Sequence, residues 1–497
     1  TKQDVVDWAN KYLGPESYAI IYKREGKDPD EQKIAAPKIT PIVTNRDSQS
    51  EFLSEIQTSQ VQPIEPVFVD YKKDMSQFEA QPGIDVLYKK NETNDIFTLI
   101  YVFNTGTEND PALNLAFNYL SYLGTDKMTA EEIASEMYDI ACSFYMNAGA
   151  NQSSIQITGL SENMGKAMEI VEGLIAGAKP DEAILENLKG DMLKSRADAK
   201  LNQSRCFGAL QRYLFYGGDF IRRTTLTDPA LQALTSEQLL AKIGGLMGKQ
   251  HEVLYYGPQK EAEVKSALAK HHKVAADLQP LEKKFSTLLP TDANKVVLAQ
   301  YDAKQLYYLQ FSNRGEKFDV AADPEITLYN EYFGGGMNTI VFQEMREARG
   351  LAYTAWATLA TPSNANGDYS YYAFIATQND KMQKAVEAFD DIINNMPESE
   401  KAFGIAKEAL VSRLRTERTV KDGVLWSYLR ARDLGLDAPR DKQIFEKVQS
   451  MTLDDVKAAQ QKWVKGRKYV YGILGDIQNL DLNYLKTLGP IQTVSQE

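Results

Sequence analysis

The sequence predicts an α+β protein built mainly from two tandem, similar domains, on three observations. One helix-turn-strand pattern occurs three times. A strand followed by Asp-Pro and a helix occurs twice, at a similar interval. Strands and helices mix without the strict βαβ rhythm of a doubly wound sheet.

The threefold pattern reads TKQDVVDWANKYLGPESYAIIY from Thr1 to Tyr22, TSEQLLAKIGGLMGKQHEVLYY from Thr235 to Tyr256, and TLDDVKAAQQKWVKGRKYVY from Thr452 to Tyr471. Thr is a good helix N-cap, and an acidic residue follows near the positive helix end. Apolar residues then fall at helical spacing, as in Val5, Trp8 and Ala9, or Val456, Ala459 and Trp463. A break leads into a β-rich run: Tyr18–Tyr22, Val253–Tyr256 or Tyr469–Tyr471. In the twofold pattern, Ile96–Phe103 and Leu306–Phe311 are strands that lead through Asp110-Pro111 and Asp323-Pro324 into amphipathic helices. Pro in a first helical turn costs no hydrogen bond. Helix-rich stretches follow, among them Met164–Ala178 and Lys381–Asn395.

These patterns predict the terminal helix and strand of a preceding domain over residues 1–23, a linker over 24–66 rich in Lys, Asp, Pro, Gln and Ser, a first full domain over 67–278 and a second over 286–497. The chain begins Thr1-Lys2-Gln3-Asp4, with no initiator Met and no basic or apolar signal segment. That start reads as a mature product or as a piece of something longer.

Composition excludes several function classes. Apolar residues are 43% and charged residues 25% of 497, so the core should need no staple. A net charge of −12 argues against nucleic acid or an anionic membrane as the main partner and tolerates a basic one. No run approaches a membrane-spanning length. Two cysteines, Cys142 and Cys206, make neither a disulfide framework nor a zinc site. Cys142, beside Ile140, Ala141 and Phe144, reads as a buried thiol.

The segment carrying chemistry is EYFGGGMNTIVFQEMREARGLAYTAW, from Glu331 to Trp356. Gly334-Gly335-Gly336 permits a close backbone approach, and lacks the Lys and Ser/Thr of a phosphate loop. Met337–Arg349 reads as a helix stopped by Gly350. Leu351–Trp356 reads as a strand with Leu351, Tyr353 and Ala355 on one face. Arg346, in the last helical turn, and Tyr353, just inside the strand, can then point into one cleft.

The run Gly-Gly-Gly-Met-Asn, Phe-Gln-Glu, Arg-Glu, Arg-Gly-Leu-Ala-Tyr resembles the closing-domain signature of the pitrilysin/insulysin and processing-peptidase family of inverted-motif zinc metallopeptidases. The resemblance covers essentially the whole chain and implies the non-zinc-binding half, with two α/β-sandwich domains of the zinc-peptidase lobe type. In that family the corresponding Arg and Tyr, here Arg346 and Tyr353, reach the zinc site of the first domain, hold substrate and stabilise the tetrahedral intermediate. The family's zinc motif, H-x-x-E-H, is absent here. Counted back from Gly124-Thr125, its slots hold Leu115, Asn118 and Tyr119, so the helix Pro111–Leu123 reads as core packing. The three histidines, His251, His271 and His272, match no ligand pattern. Adjacent histidines on a helix point about 100° apart, and a solvated surface role is expected for them.

The resemblance therefore implies a chain that is inactive alone. It would hold no zinc, pair with a catalytic lobe that carries zinc, upstream or on a partner chain, and close a chamber around peptide substrates. The rival expectation is a non-enzymatic peptide-binding or scaffold subunit of the same fold. Bacterial relatives bring in a periplasmic or exported setting, which no segment of the sequence encodes.

Overall fold

A computed structural model describes residues 1–24, 26, 50–60 and 62–495. It divides into two units, Thr1–Gln62 and Pro63–Glu497.

In the first unit, the helix Lys2–Tyr12 forms as predicted. Thr1 and Asp4 close a reciprocal capping box at its start. The strand expected over Tyr18–Tyr22 does not form. A strand needs a hydrogen-bonding neighbour, and the described residues of this unit contain none. Within the predicted linker, Glu51–Thr58 is a short helix capped by Ser50. Most of the linker, residues 25, 27–49 and 61, lies outside the described residues.

The second unit is α+β and holds two six-stranded mixed sheets. The first contains β1 (Ser76–Gln81), β2 (Ile84–Lys90), β3 (Ile96–Phe103), β4 (Cys142–Ala148), β5 (Ser153–Leu160) and β6 (His251–Gly257), in the order β1-β2-β6-β3-β5-β4. The second contains β7 (Lys295–Gln300), β8 (Gln305–Ser312), β9 (Thr354–Ala360), β10 (Ser370–Gln378), β11 (Val470–Gly475) and β12 (Ile491–Val494), in the order β12-β7-β11-β8-β10-β9.

The sequence repeat has a topological meaning. Its strands become β6 and β11, and each sits inside its sheet with the same pair of neighbours. β6 runs parallel to β2 and antiparallel to β3, while β11 runs parallel to β7 and antiparallel to β8. Burial on both faces explains their apolar composition: every residue of β6 and of β11 is buried.

Helices cover one face of each sheet. Over the first sheet, Leu113–Leu120 and Met164–Gly177 contribute Leu115, Tyr119, Met168 and Val171 to the core. Over the second, Asp323–Phe333 and Met382–Asn394 contribute Tyr329, Tyr332, Val386 and Phe389. The opposite faces are covered by exchange. The helix Gly423–Asp433, from the second half of the chain, lays Val424, Leu425 and Leu429 on Leu87, Ile100, Val102 and Leu254 of the first sheet. The helical stretch Gln203–Thr224, broken at Gly217, lays Phe207, Leu210 and Leu214 on Val297, Leu309, Phe311 and Leu474 of the second. A Cβ at Gly472 would stand 2.3 Å from Leu214 Cδ1, so glycine is needed for that approach. Arg432 grips Glu252 in a two-pronged ion pair, and Lys283 meets Asp433 at 2.6 Å. Each half thus lends the other a wall of its core, which explains why Pro63–Glu497 packs as one unit.

Candidate functional site

The run from Gly334 to Tyr353 joins the helix Asp323–Phe333 to β9. Gly334 donates its N–H to Asn330 O at 2.9 Å. A Cβ there would lie 2.3 Å from Asn330 O and 3.0 Å from Ala357 O. The Asn330 amide in turn pairs with both backbone groups of Leu359, each at 2.9 Å, and ties the helix to the edge strand. Gly334→Ala is therefore expected to cost about 2 kcal/mol by overpacking, read as a lower thermal midpoint; an unchanged midpoint would mean the contact is looser than described.

Met337–Arg349 is not one continuous α-helix. Regular structure begins after Thr339 with the turn Ile340–Phe342 and continues as a π-helix, Gln343–Ala348. Met345, fully buried, anchors this segment in the core. Gly350, at φ 57°, ends it, with its N–H on Arg346 O at 3.2 Å, while the Leu351 N–H reaches Met345 O at 2.9 Å. Thr377 Oγ1 donates to Leu351 O at 2.6 Å and fixes the turn. The strand expected from Leu351 starts later, at Thr354, because Leu351 is spent on these turn contacts. Tyr353 stands just outside β9.

Arg346 and Tyr353 are nevertheless brought together. The Arg346 guanidinium carbon lies 4.5 Å from the Tyr353 ring centroid and 4.9 Å from that of Phe342. Glu347 is 3.4 Å from its Nε. Tyr353 is 72% exposed. A cation stacked on two rings loses rotational freedom but keeps its N–H edge for other acceptors. With the phenol, the pair offers several donors to one external carbonyl or oxyanion. A cavity of about 370 Å3 beside the glycine run, which neither Arg346 nor Tyr353 lines, is bounded by Gly335, Gly336, Asn330, Glu331, Thr339 and Arg413, among others.

The zinc slots carry none of the chemistry of zinc ligands. Leu115 and Tyr119 are buried in the first core, and Asn118 is exposed. The Tyr119 hydroxyl meets Ser236 Oγ at 2.7 Å and accepts from the Asp181 N–H at 2.7 Å. Hydrocarbon and a phenol committed to internal bonds do not fit a zinc ion. Among the described residues, no group of three or more His, Cys, Asp or Glu is placed to hold a metal. No described helix is long and apolar enough to cross a membrane. Cys142 is buried as expected, and both cysteines are free thiols.

The histidines correct the surface expectation. His251 and His272 are 3% and 2% exposed. His251 Nδ1 donates to Lys249 O at 2.8 Å, which leaves Nε2 to accept from His272 Nε2–H at 2.8 Å. His272 Nδ1 meets Glu172 Oε1 at 2.5 Å, with one proton between them. Burial, then the neighbouring His272, lowers the pKa of His251 to about 4. Nothing local reveals this chain, because Glu172 comes from a helix a hundred residues from His272 in sequence.

Residues 250–410 match the family model described as the peptidase M16 inactive domain. An uncharacterised zinc protease of Streptomyces coelicolor is 22% identical over half of this chain, a stretch that spans 56% of that protein's length. The fold is shared with a peptidase M16 inactive domain from Pseudomonas fluorescens, with a TM-score of 0.63, 18% identity and coverage of 81% of this chain and 98% of that one. It is shared also with the periplasmic protease PqqL of Escherichia coli, with a TM-score of 0.64 and 14% identity, over 89% of this chain and 49% of that one. The inactive-domain match over residues 250–410, the shared fold and the signature from Gly334 to Tyr353 converge on one assignment: this chain carries a peptidase M16 inactive domain.

Proposed function

We propose that this chain is the non-catalytic half of a zinc metalloendopeptidase, closing a peptide chamber against a catalytic lobe and supplying Arg346 and Tyr353 to the substrate. The observation that carries this reading is the stack of the half-buried Arg346 on the exposed Tyr353. Two donors of different geometry are held together with no buried role to occupy them. Zinc on the catalytic lobe would supply Lewis-acid polarisation and an activated water. The part played by this chain is different: the guanidinium and the phenol O–H donate to the scissile carbonyl and hold more strongly as it gains negative charge. The helix Lys2–Tyr12 and the run Tyr18–Tyr22 belong to the same proposal, as the end of a preceding domain that would complete its own sheet. So do the boundaries 67–278 and 286–497 for two lobe-type domains. A periplasmic or exported setting is proposed with them, motivated by the fold shared with a periplasmic protease.

The test is cleavage of a quenched-fluorescence peptide by this chain alone, and by this chain combined with a catalytic lobe bearing H-x-x-E-H, each with zinc and with chelator. Chelator-sensitive cleavage is expected only in the combined form. Arg346→Ala should lower turnover there at least roughly tenfold, with an unchanged thermal midpoint. Normal turnover in that variant sinks the assigned role, and no cleavage in any form favours a peptide-binding scaffold.

A further inference from the structure

A second concave site lies where the two halves meet. Its volume is about 480 Å3, within the range of ligand pockets, which favour such interfaces. Phe215 and Tyr216 come from the exchanged helical stretch, Phe285 and Thr287 from the connecting segment, and Tyr372 and Asn364 from the second sheet and its loop.

Three features define what would fit. The walls are aromatic and already ordered by one another: Phe215 and Tyr372 have centroids 5.5 Å apart, and Tyr216 stacks on Phe220 at 4.5 Å. The hydroxyls of Tyr216 and Tyr372 meet no hydrogen-bonding group among the described residues. Burial raises both phenol pKa values, so both remain neutral donors. The carboxylate in the lining, Asp368, is already matched by Lys317 at 2.7 Å and by the Asn313 amide at 3.2 Å. Charges of both signs stand beside Tyr216, with Glu108 accepting from Ser286 and Arg212 opposite in sign, so the cleft favours neither a cationic nor an anionic ligand. An aromatic ring flanked by peptide amides would find stacking surfaces and free hydroxyl and amide groups.

The strand β9 also leads from the Arg346–Tyr353 stack to this site. β9 begins one residue after Tyr353 and ends at Ala360, which lines the cleft. Trp356, midway along it, packs edge-on to Tyr372 at 5.6 Å. At the rise of an extended chain, the two sites stand about 23 Å apart along this strand.

We propose that the cleft between the halves is a recognition pocket for an uncharged aromatic side chain of an extended polypeptide. The polypeptide nature of the ligand rests on the function proposed above. The spacing then sets a ruler: an aromatic anchor in the cleft places a bond roughly seven residues away beside Arg346 and Tyr353.

Fluorescence anisotropy of this chain with a labelled, uncharged, unstructured peptide carrying a single Phe tests the idea, against the same peptide with Ser in its place. The Phe peptide is expected to bind at least roughly tenfold more tightly. Phe285→Ala, which removes a wall, and Thr287→Trp, which fills the cleft from an exposed position, should each abolish that preference. Arg346→Ala should keep it. Equal binding of the two peptides, or a preference surviving in both cleft variants, overturns the proposal. The two readings fail separately. Loss of turnover in Arg346→Ala without a Phe preference leaves the active-site role standing and removes the cleft. A Phe preference with normal Arg346→Ala turnover does the reverse.

Discussion

Replacing Leu425 with Ala is expected to remove about 3 kcal/mol of stability and to speed amide exchange in β2, β3 and β6, strands far away in sequence. Leu425 is fully buried, yet the apolar face it covers belongs to the other half of the chain: Leu87, Ile100, Val102 and Leu254. Truncation leaves a cavity between this helix and that sheet, and the sheet loses a wall rather than a local contact. Leu214→Ala is the reciprocal case and should loosen β7, β8 and β11, where Leu214 packs on Val297, Leu309 and Leu474. Exchange accelerated only within the half that carries each substitution would show that the two domains are stable without their borrowed helices. Cooperative exchange in the remote strands, with a single unfolding transition, would establish the crossed packing as the main support of both cores.

The contrast between what was legible in the sequence and what was not follows the range of the interactions. The strand Ile96–Phe103 was readable to the residue, because a buried strand writes itself as a short apolar run. The threefold repeat marked β6 and β11, since both occupy the same topological slot and need the same composition. Arg346 and Tyr353 could be placed together because only a turn separates them. The π-helical stretch was not visible, because Met345 and Leu351 are drawn into a turn by tertiary contacts that periodicity does not encode. The helix Gly423–Asp433 buries Val424, Leu425 and Leu429, and nothing in it names the sheet it covers. The histidines failed for the same reason: three residues from three elements make one chain of hydrogen bonds, and each alone looks polar and exposed.

That buried chain and a carboxylate in the other half should set opposite pH dependences of stability. His251 has a pKa lowered to about 4, chiefly by burial. Unfolded, it would titrate near its ordinary 6.5. Between those values the unfolded chain binds the extra proton, so the contribution is complete above pH 6.5 and fades as pH falls toward 4, by up to about 3 kcal/mol. Asp390 behaves oppositely. Burial, reinforced by Glu387 and opposed by a hydrogen bond from Gln310, raises its pKa to about 6. Here the folded chain binds the proton first, so its penalty applies above pH 6 and is relieved as pH falls toward 3.8, by up to about 3 kcal/mol. The two slopes nearly cancel in the native protein. His251→Gln should therefore gain stability, relative to the native protein, as pH falls from 6.5 to 4.5, whatever its offset at pH 7. Asp390→Asn should be the more stable form at pH 7 and lose that advantage over the same range. Urea midpoints across the interval read both slopes, and subtracting the native curve removes the contribution of every other group. Parallel curves for His251→Gln and the native protein would mean that His251 carries its proton in the folded state, and that the Glu172–His272 pair compensates a second charge. Divergence in the stated direction would show that burial beside His272 holds His251 neutral, against the hydrogen bond to Lys249 O that favours its protonated form.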